Sequence, residues 1–205
     1  MSERVFDVLV VGAGMVGAAT ACLLARSGFS VVVVESNEPH EFDPAAEMGL
    51  RVSAFSPGSA AVLAETGSWR QIEAQRHCAY RRMHVEDRDD SVAIDFNAPE
   101  FGLERLGTII ENNLVQWSLW QSLQVMGGVE IICPGRVMAM NVIDGQVVVE
   151  LDSGRELRCR LVAGADGANS GIRKLLGIQQ QHWEYGQHGL VATVRTEHSN
   201  PGIAW

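Results

Sequence analysis

The sequence has no excess of basic charge, no paired cysteines, no internal repeat and no low-complexity stretch. Its 16 Lys and Arg are outnumbered by 25 Asp and Glu, which leaves a formal net charge of −9. Nucleic-acid binding depends on clustered cations that displace counterions from phosphate, so no nucleic-acid partner is expected. The four cysteines, Cys22, Cys78, Cys133 and Cys159, form no CxxC pair, and no histidine stands beside one at zinc-ligand spacing. They read as thiols in a reducing compartment rather than as a metal site or a disulfide framework. Charge is also missing from Val8 to Ala25, a run at the lower edge of membrane-span length. Gly12, Gly14 and Gly17 interrupt that run, and Glu3 and Asp7 sit where a signal peptide would carry positive charge. Neither a transmembrane helix nor a cleaved leader is expected, and the expected location is cytoplasmic.

What the chain does have is glycine, 21 residues of it, and several short apolar runs. Val5 to Val11 is β-branched and nearly continuous, the pattern of a strand buried on both faces of a parallel sheet. Gly12-Ala13-Gly14-Met15-Val16-Gly17 follows as a full GxGxxG. Ala18 to Arg26 reads as a helix closed by Gly28, and Ser30 to Val34 as a second buried strand that ends in Glu35. In such a unit Gly12 allows the tight strand-to-helix turn, Gly14 lets a pyrophosphate approach the backbone, and Gly17 lets the helix pack closely. The helix N-terminus offers free N–H groups and its positive dipole end to phosphate. Glu35 stands where a carboxylate accepts both ribose hydroxyls, and its charge disfavours a 2′-phosphate, so NADP is not expected at this site. A Gly-rich turn in an unrelated α/β fold is the competing explanation. Strand, glycines, helix, second strand and terminal acid occurring in order argue against it. The motif alone does not separate FAD from NAD.

The middle of the chain is less explicit. Residues 36–50 read as a loop, and Arg51-Val52-Ser53-Ala54 precedes a helix that Ser56-Pro57 opens and that runs to about Glu65. Arg51 reads equally as a cofactor-facing residue and as a loop arginine. Residues 80–96 alternate as a half-exposed hairpin turning at Asp87-Arg88-Asp89-Asp90, and the basic cluster Arg76, Arg81 and Arg82 reads as a solvated face. Gly107 to Asn113 leads into a helix from Leu114 to Val125, whose Trp117 and Trp120 read as packing residues. Val129–Cys133, Val137–Val142 and Val147–Leu151 read as strands, with Asp144-Gly145 and Ser153-Gly154 as turns.

A second motif ends another strand, Arg158 to Ala163: Gly164-Ala165-Asp166-Gly167-Ala168-Asn169-Ser170-Gly171-Ile172-Arg173, with a helix through Leu176. Asp-Gly alone is a common turn. Its place at the end of a strand beside a dinucleotide sheet favours a functional reading, with Asp166 bonding backbone or ribose groups. Asp166 also argues against a simple NAD-dependent dehydrogenase, which would have no use for it.

Taken together, the GxGxxG with Glu35, the Arg-Val-Ser-Ala stretch, the Ile-Glu-Asn helix start and the Gly-Ala-Asp-Gly-Ala-Asn-Ser segment resemble the class A flavoprotein aromatic hydroxylases. Within them the chain resembles the ubiquinone-biosynthesis hydroxylases that act on octaprenylphenol-type intermediates, as does the Trp183-Glu184-Tyr185-Gly186-Gln187-His188 stretch followed by Val191 to Arg195. The resemblance covers essentially the whole chain. It implies an α/β, Rossmann-like FAD-binding fold with an interleaved, incomplete β-sheet substrate domain. The FAD-binding parts would be residues 1–75 and 100–180; a substrate-domain hairpin would occupy 76–99, and the start of its sheet 181–205. By position it assigns Gly12, Gly14, Met15, Val16 and Gly17 to the FAD pyrophosphate, Glu35 to the ribose and Val137 to the adenine. Arg51 matches an arginine that lies against the cofactor and Gln116 a helix residue near the flavin side, while Asp166 and Gly167 fall in the motif shared between FAD and the pyridine-nucleotide path, with Arg173 after it.

The implied reaction is hydroxylation of the aromatic ring of a polyprenylated phenol, with NAD(P)H and O₂, through a flavin hydroperoxide. Most of that chemistry belongs to the cofactor. No Ser–His–Asp set or metal is needed and no catalytic residue is named; His182 and His188 are candidates only by sequence proximity. The implied partner is a prenylphenol lipid, with room for peripheral attachment at the inner face of the membrane, a biosynthetic complex or a homo-oligomer. The family is roughly twice as long. Its third motif, a Gly-Asp turn followed by Ala-Ala-His, does not occur here. The chain is therefore expected to be the N-terminal part of such an enzyme, with a non-catalytic FAD-binding or assembly module as the alternative.

Overall fold

Four consecutive valines carry no polar side chain, so the stretch 31–34 is stable only where both of its faces are covered. The computed structural model describes residues 4–87 and 92–205, and in it all four valines are buried. The elements run β1 (Val5–Val11), α1 (Met15–Arg26), β2 (Val31–Val34), β3 (Val52–Phe55), α2 (Pro57–Glu65), α3 (Trp69–Glu73), β4 (Cys78–Tyr80), β5 (Arg82–Glu86) and β6 (Ala93–Asn97). They continue through β7 (Gly107–Glu111), α4 (Asn112–Val125), β8 (Val129–Ile132), β9 (Val137–Ile143), β10 (Gln146–Leu151), β11 (Glu156–Gly164), α5 (Gly171–Leu175) and β12 (Ile203–Ala204). The chain separates into two compact units. One comprises the segment ending at His40 together with Gln116–His188, the other Glu41–Val115 with Gly189–Trp205.

The first unit is built on a six-stranded sheet in the order β8-β2-β1-β11-β10-β9. β8, β2, β1 and β11 are parallel, and β10 and β9 are added antiparallel. α1 packs on β1, β2 and β8, with Ala18, Ala21 and Cys22 fully buried. Leu9, Val11 and Val32 share a core with Val149, Leu151 and Ile172. The β9–β10 turn places Asp144 at φ 51 and Gly145 at φ 76, as a two-residue hairpin matched to strand twist requires. α1 begins at Met15, three residues ahead of the Ala18 start read from composition. Gly14 is extended as the N-cap, and its carbonyl already accepts from the Ala18 N–H at 2.9 Å. Glycine has low helix propensity, so this first turn is hidden in the composition. Trp120 is buried, with its Nε1 donating to Glu38 Oε1 at 3.3 Å. All four cysteines are free, and burial pushes the Cys22 thiol up to about 11.

The second unit holds two three-stranded sheets, β3-β7-β4 and β12-β5-β6. Ser56 caps α2 by accepting from the Ser59 N–H. β5 and β6 pair antiparallel as the hairpin predicts; of the turn read between them, residues 88–90 lie outside the described residues. Three readings need correction here. Residues 107–111 form a strand before α4, which starts at Asn112 rather than Leu114. Within residues 181–205, read as the start of a sheet, Val191 to Arg195 forms no strand: among the described residues no neighbour supplies a hydrogen-bond ladder to it, and Val191 and Val194 are exposed. Only Ile203–Ala204 in that region pairs, parallel to β5. Arg76, read as part of a solvated face, instead donates to the Glu111 carboxylate and to the carbonyls of Pro44 and Ala46. The reason is Glu111, an acid 2% exposed that needs a cation to be buried.

Candidate cofactor site

The site begins where β1 ends. Gly12 adopts φ +96, and its N–H donates to the Val34 carbonyl at 2.8 Å. A Cβ on Gly12 would lie 2.5 Å from the Ala165 carbonyl oxygen, so the turn touches the end of β11 as well as its own helix. A Cβ on Gly17 would lie 1.9 Å from the Gly12 oxygen. The Ala165 N–H closes the junction on the Val11 carbonyl at 2.7 Å. Gly14 is different, because a Cβ there would meet nothing within 4 Å. Its missing side chain serves no protein packing. It leaves open the space above the first turn of α1, which no side chain caps.

That space is a cleft of about 680 Å³, lined by Gly12, Gly14, Glu35, Ser36, Gln116, Arg136, Val137, Asp166 and Gly167 among others. Glu35 leaves the tip of β2 half-buried. Its Oε2 accepts from the Ala13 N–H at 2.5 Å, and its Oε1 from the Ser36 hydroxyl and the Asn37 N–H at 3.0 Å each. The carboxylate is thereby fixed at the edge of the glycine turn. Beside it, the Gly135 N–H donates to the Glu35 carbonyl at 2.8 Å. Gly135 packs tightly there: a Cβ on it would meet Ile132 at 3.0 Å.

Asp166 builds the second turn. Its Oδ1 accepts from the Ser170 hydroxyl at 2.6 Å and its Oδ2 from the Ile172 N–H at 3.1 Å. Burial alone would raise this carboxyl, but the Ser170 hydroxyl and neighbouring amides outweigh it and hold it below the usual carboxylate value. Gly167 follows at φ +82. Asp166 is thus committed first to its own turn, which sets the backbone that faces the cleft.

Of the residues read from sequence, Gly12, Gly14, Glu35, Gln116, Val137, Asp166 and Gly167 line one cleft. Gly17 is buried beneath the turn, Met15 is half-buried and Val16 is 74% exposed; none of the three is in the lining. Arg51 belongs to the second unit, where its carbonyl accepts from the Asn112 N–H at 2.9 Å. Sequence reading missed Ser36, Gly135, Arg136 and Asn169. Ser36 and Arg136 are next to named residues, and Gly135 and Asn169 two positions away; that nearness was the available signal. No cluster of His, Cys, Asp or Glu among the described residues could hold a metal. No helix among them is long and apolar enough to cross a membrane.

An uncapped helix start under an open glycine, a fixed acid at the neighbouring strand tip and a second Gly-bearing turn define a dinucleotide-binding α/β protein of the flavoprotein type. Residues 5–201 match the FAD binding domain family, and the chain belongs to it. The cleft fits that cofactor, because the side-chain-free space over Gly14 is where a pyrophosphate would rest on the turn. The chain is 35% identical over 205 residues to the 3-demethoxyubiquinol 3-hydroxylase of Escherichia coli, covering 100% of this chain and 52% of that protein. It is 34% identical to the mitochondrial ubiquinone biosynthesis monooxygenase COQ6 of Xenopus tropicalis, covering 98% of this chain and 46% of that one. Among solved structures, p-nitrophenol 4-monooxygenase PnpA from Pseudomonas putida superposes with a TM-score of 0.68 at 27% identity, over 85% of this chain and 44% of that chain. PqsL of P. aeruginosa in complex with 2-aminobenzoylacetate gives 0.71 at 27% identity, over 89% and 48%. The chain spans about half the length of the curated relatives it matches.

Proposed function

We propose that this chain is the FAD-holding part of a monooxygenase of ubiquinone biosynthesis, which hydroxylates the aromatic ring of a polyprenylated phenol with NAD(P)H as electron donor. The observation that carries this reading is the meeting of two turns, 12–17 and 165–167, at one uncapped helix start beside Glu35. Sequence likeness to ubiquinone-pathway hydroxylases over the full chain supports the pathway.

In this reading the amides of Met15 and Val16, at the open end of α1, hold the pyrophosphate. Gly12 and Gly17 keep that turn close to the sheet, and Gly14 keeps it open. Glu35 accepts from the ribose hydroxyls, the Val137 backbone meets the adenine, and Asp166 with Gly167 shapes the wall toward the flavin. Gln116 serves the flavin side. When bound, FAD supplies the redox and oxygen chemistry. The prenylphenol substrate extends the reading to a cytoplasmic protein attached at the inner face of the membrane, in a complex or a homo-oligomer.

The test is a flavin absorption spectrum of the purified protein before and after FAD is added, followed by NAD(P)H oxidation with a short-chain prenylphenol. Retained or titratable flavin together with prenylphenol-stimulated oxidation is the expected result. If no flavin binds, the reading fails. Bound FAD without oxidation turns it toward a non-catalytic module.

A further inference from the structure

The cleft lining contains two carboxylates, Glu35 and Asp166, and one cation, Arg136. Asp166 is occupied within its own turn. The Arg136 guanidinium is not occupied in that way. Its backbone is pinned from both sides, since its N–H donates to Asp152 Oδ1 at 3.2 Å and its carbonyl accepts from the Asp152 N–H at 2.9 Å. Asp152 therefore holds the main chain of Arg136 while the side chain stays exposed, with no hydrogen bond or ion pair to the described residues. Nearby arginines are spent differently: Arg155 pairs with Glu130, and Arg160 with Asp7. The adjoining Gly135 is tied by its N–H to the Glu35 carbonyl, which fixes Arg136 next to the strand tip that carries the ribose acid.

We propose that Arg136 is a specificity residue for the adenosine half of FAD, an inference that rests on the FAD reading above. A guanidinium is planar, delocalised and weakly hydrated, so it packs on an aromatic face at little desolvation cost. An adenine supplies such a face, and the positive charge offsets Glu35 beside the ribose. A flavin mononucleotide, which has no adenosine, gains nothing from it.

The test titrates the full chain with FAD, FMN and ADP, using flavin fluorescence for the first two and calorimetry for the third. Arg136→Ala should weaken FAD and ADP by roughly tenfold and leave FMN unchanged. Arg136→Lys, which keeps the charge but loses the planar fork, should fall between. Arg155→Ala serves as the control and should change none of the three. Thermal midpoints check that the variants fold. Wild-type affinity for FAD and ADP in Arg136→Ala overturns the proposal, and so does an equal loss for FMN. A wild-type protein that binds neither FAD nor ADP overturns the FAD reading itself, and this proposal with it.

Discussion

Arg76 and Glu111 form a pair that organises a loop with no secondary structure of its own. The guanidinium donates through Nε and Nη2 to the two oxygens of Glu111 and through Nη1 to the carbonyls of Pro44 and Ala46, at 2.9 and 2.8 Å. Phe42 lies beneath it, 5.1 Å from ring centroid to guanidinium carbon. Glu111 Oε2 also accepts from the Gly49 N–H at 2.7 Å. One cation and one anion thus hold residues 42–49, leading up to Arg51.

Breaking this pair should reverse a pH dependence. Burial pushes the Glu111 carboxyl up, but Arg76 and the Gly49 amide outweigh it and hold it below its usual value. Its contribution is therefore present above the ordinary carboxylate pKa and lost as pH falls through the folded value. Arg76→Ala leaves burial opposed only by the smaller effect of the Gly49 amide, so Glu111 should shift upward and the variant should gain stability from this group on acidification. At neutral pH the variant should be less stable than the original, because Glu111 keeps its burial and loses its cation. Urea unfolding of both proteins at several pH values measures the two slopes; parallel slopes would sink the assignment.

The two glycines of the turn should separate folding from binding. Gly17→Ala puts a methyl 1.9 Å from the Gly12 oxygen and should destabilise the protein. Gly14→Ala meets no protein atom within 4 Å, so stability should stay within about 0.5 kcal/mol of the original. FAD affinity should nevertheless fall at least about tenfold, or 1.4 kcal/mol. Thermal melts paired with FAD titrations check both. Undiminished FAD binding in Gly14→Ala would show that the open space is not where the pyrophosphate rests.

Glu35→Ala should weaken FAD by about 1.5–3 kcal/mol through the loss of charged hydrogen bonds to ribose. Unchanged affinity would remove Glu35 from that role.

His84 should titrate above an ordinary histidine. Its Nδ1 is 2.9 Å from Asp95 and its Nε2 3.4 Å from Glu86. Hydrogen bonding to Asp95, then its charge, and then Glu86 raise the imidazole against the opposing effect of burial. Arg82 shares the Asp95 carboxylate. A raised folded value means that the stabilisation is complete below the ordinary imidazole pKa and disappears as pH rises through the folded value. Trp205 lies edge-on to this ring at 5.0 Å. Imidazole NMR shifts should therefore show a high midpoint that falls in Asp95→Asn, and Trp205 fluorescence should follow the same curve.

Much of the first unit was legible because its residues satisfy purely local rules. Val5 to Val11 and Val31 to Val34 have no polar side to expose apart from Asp7, and Ser56-Pro57 carries both a cap and a fixed φ. Glu35, Gly12 and Asp166 were legible for the same reason, since each ends a strand at a turn. What stayed hidden depends on residues distant in sequence. Arg76 looks like any surface arginine until Glu111, thirty-five positions away, is seen to be buried. Arg136 resembles a hairpin residue until β9 is known to start beside the tip of β2. Residues 181–205, expected to start a sheet, show the opposite case: among the described residues only Ile203–Ala204 finds a partner strand there, and Val191 to Arg195 finds none.

The contact between Gly12 and Ala165 has a consequence for how the binding site comes into being. The site's two halves are contributed by chain segments about 150 residues apart, and they meet only when β11 lies in register beside β1. Local structure in either segment is insufficient, so the cleft must mature late, after a long-range closure of the chain. A nucleotide that binds there recognises the finished topology and not an intermediate. Flavin uptake during refolding would therefore act as a clock for the closing of the central sheet, and the ligand would stabilise the joined ends against separation.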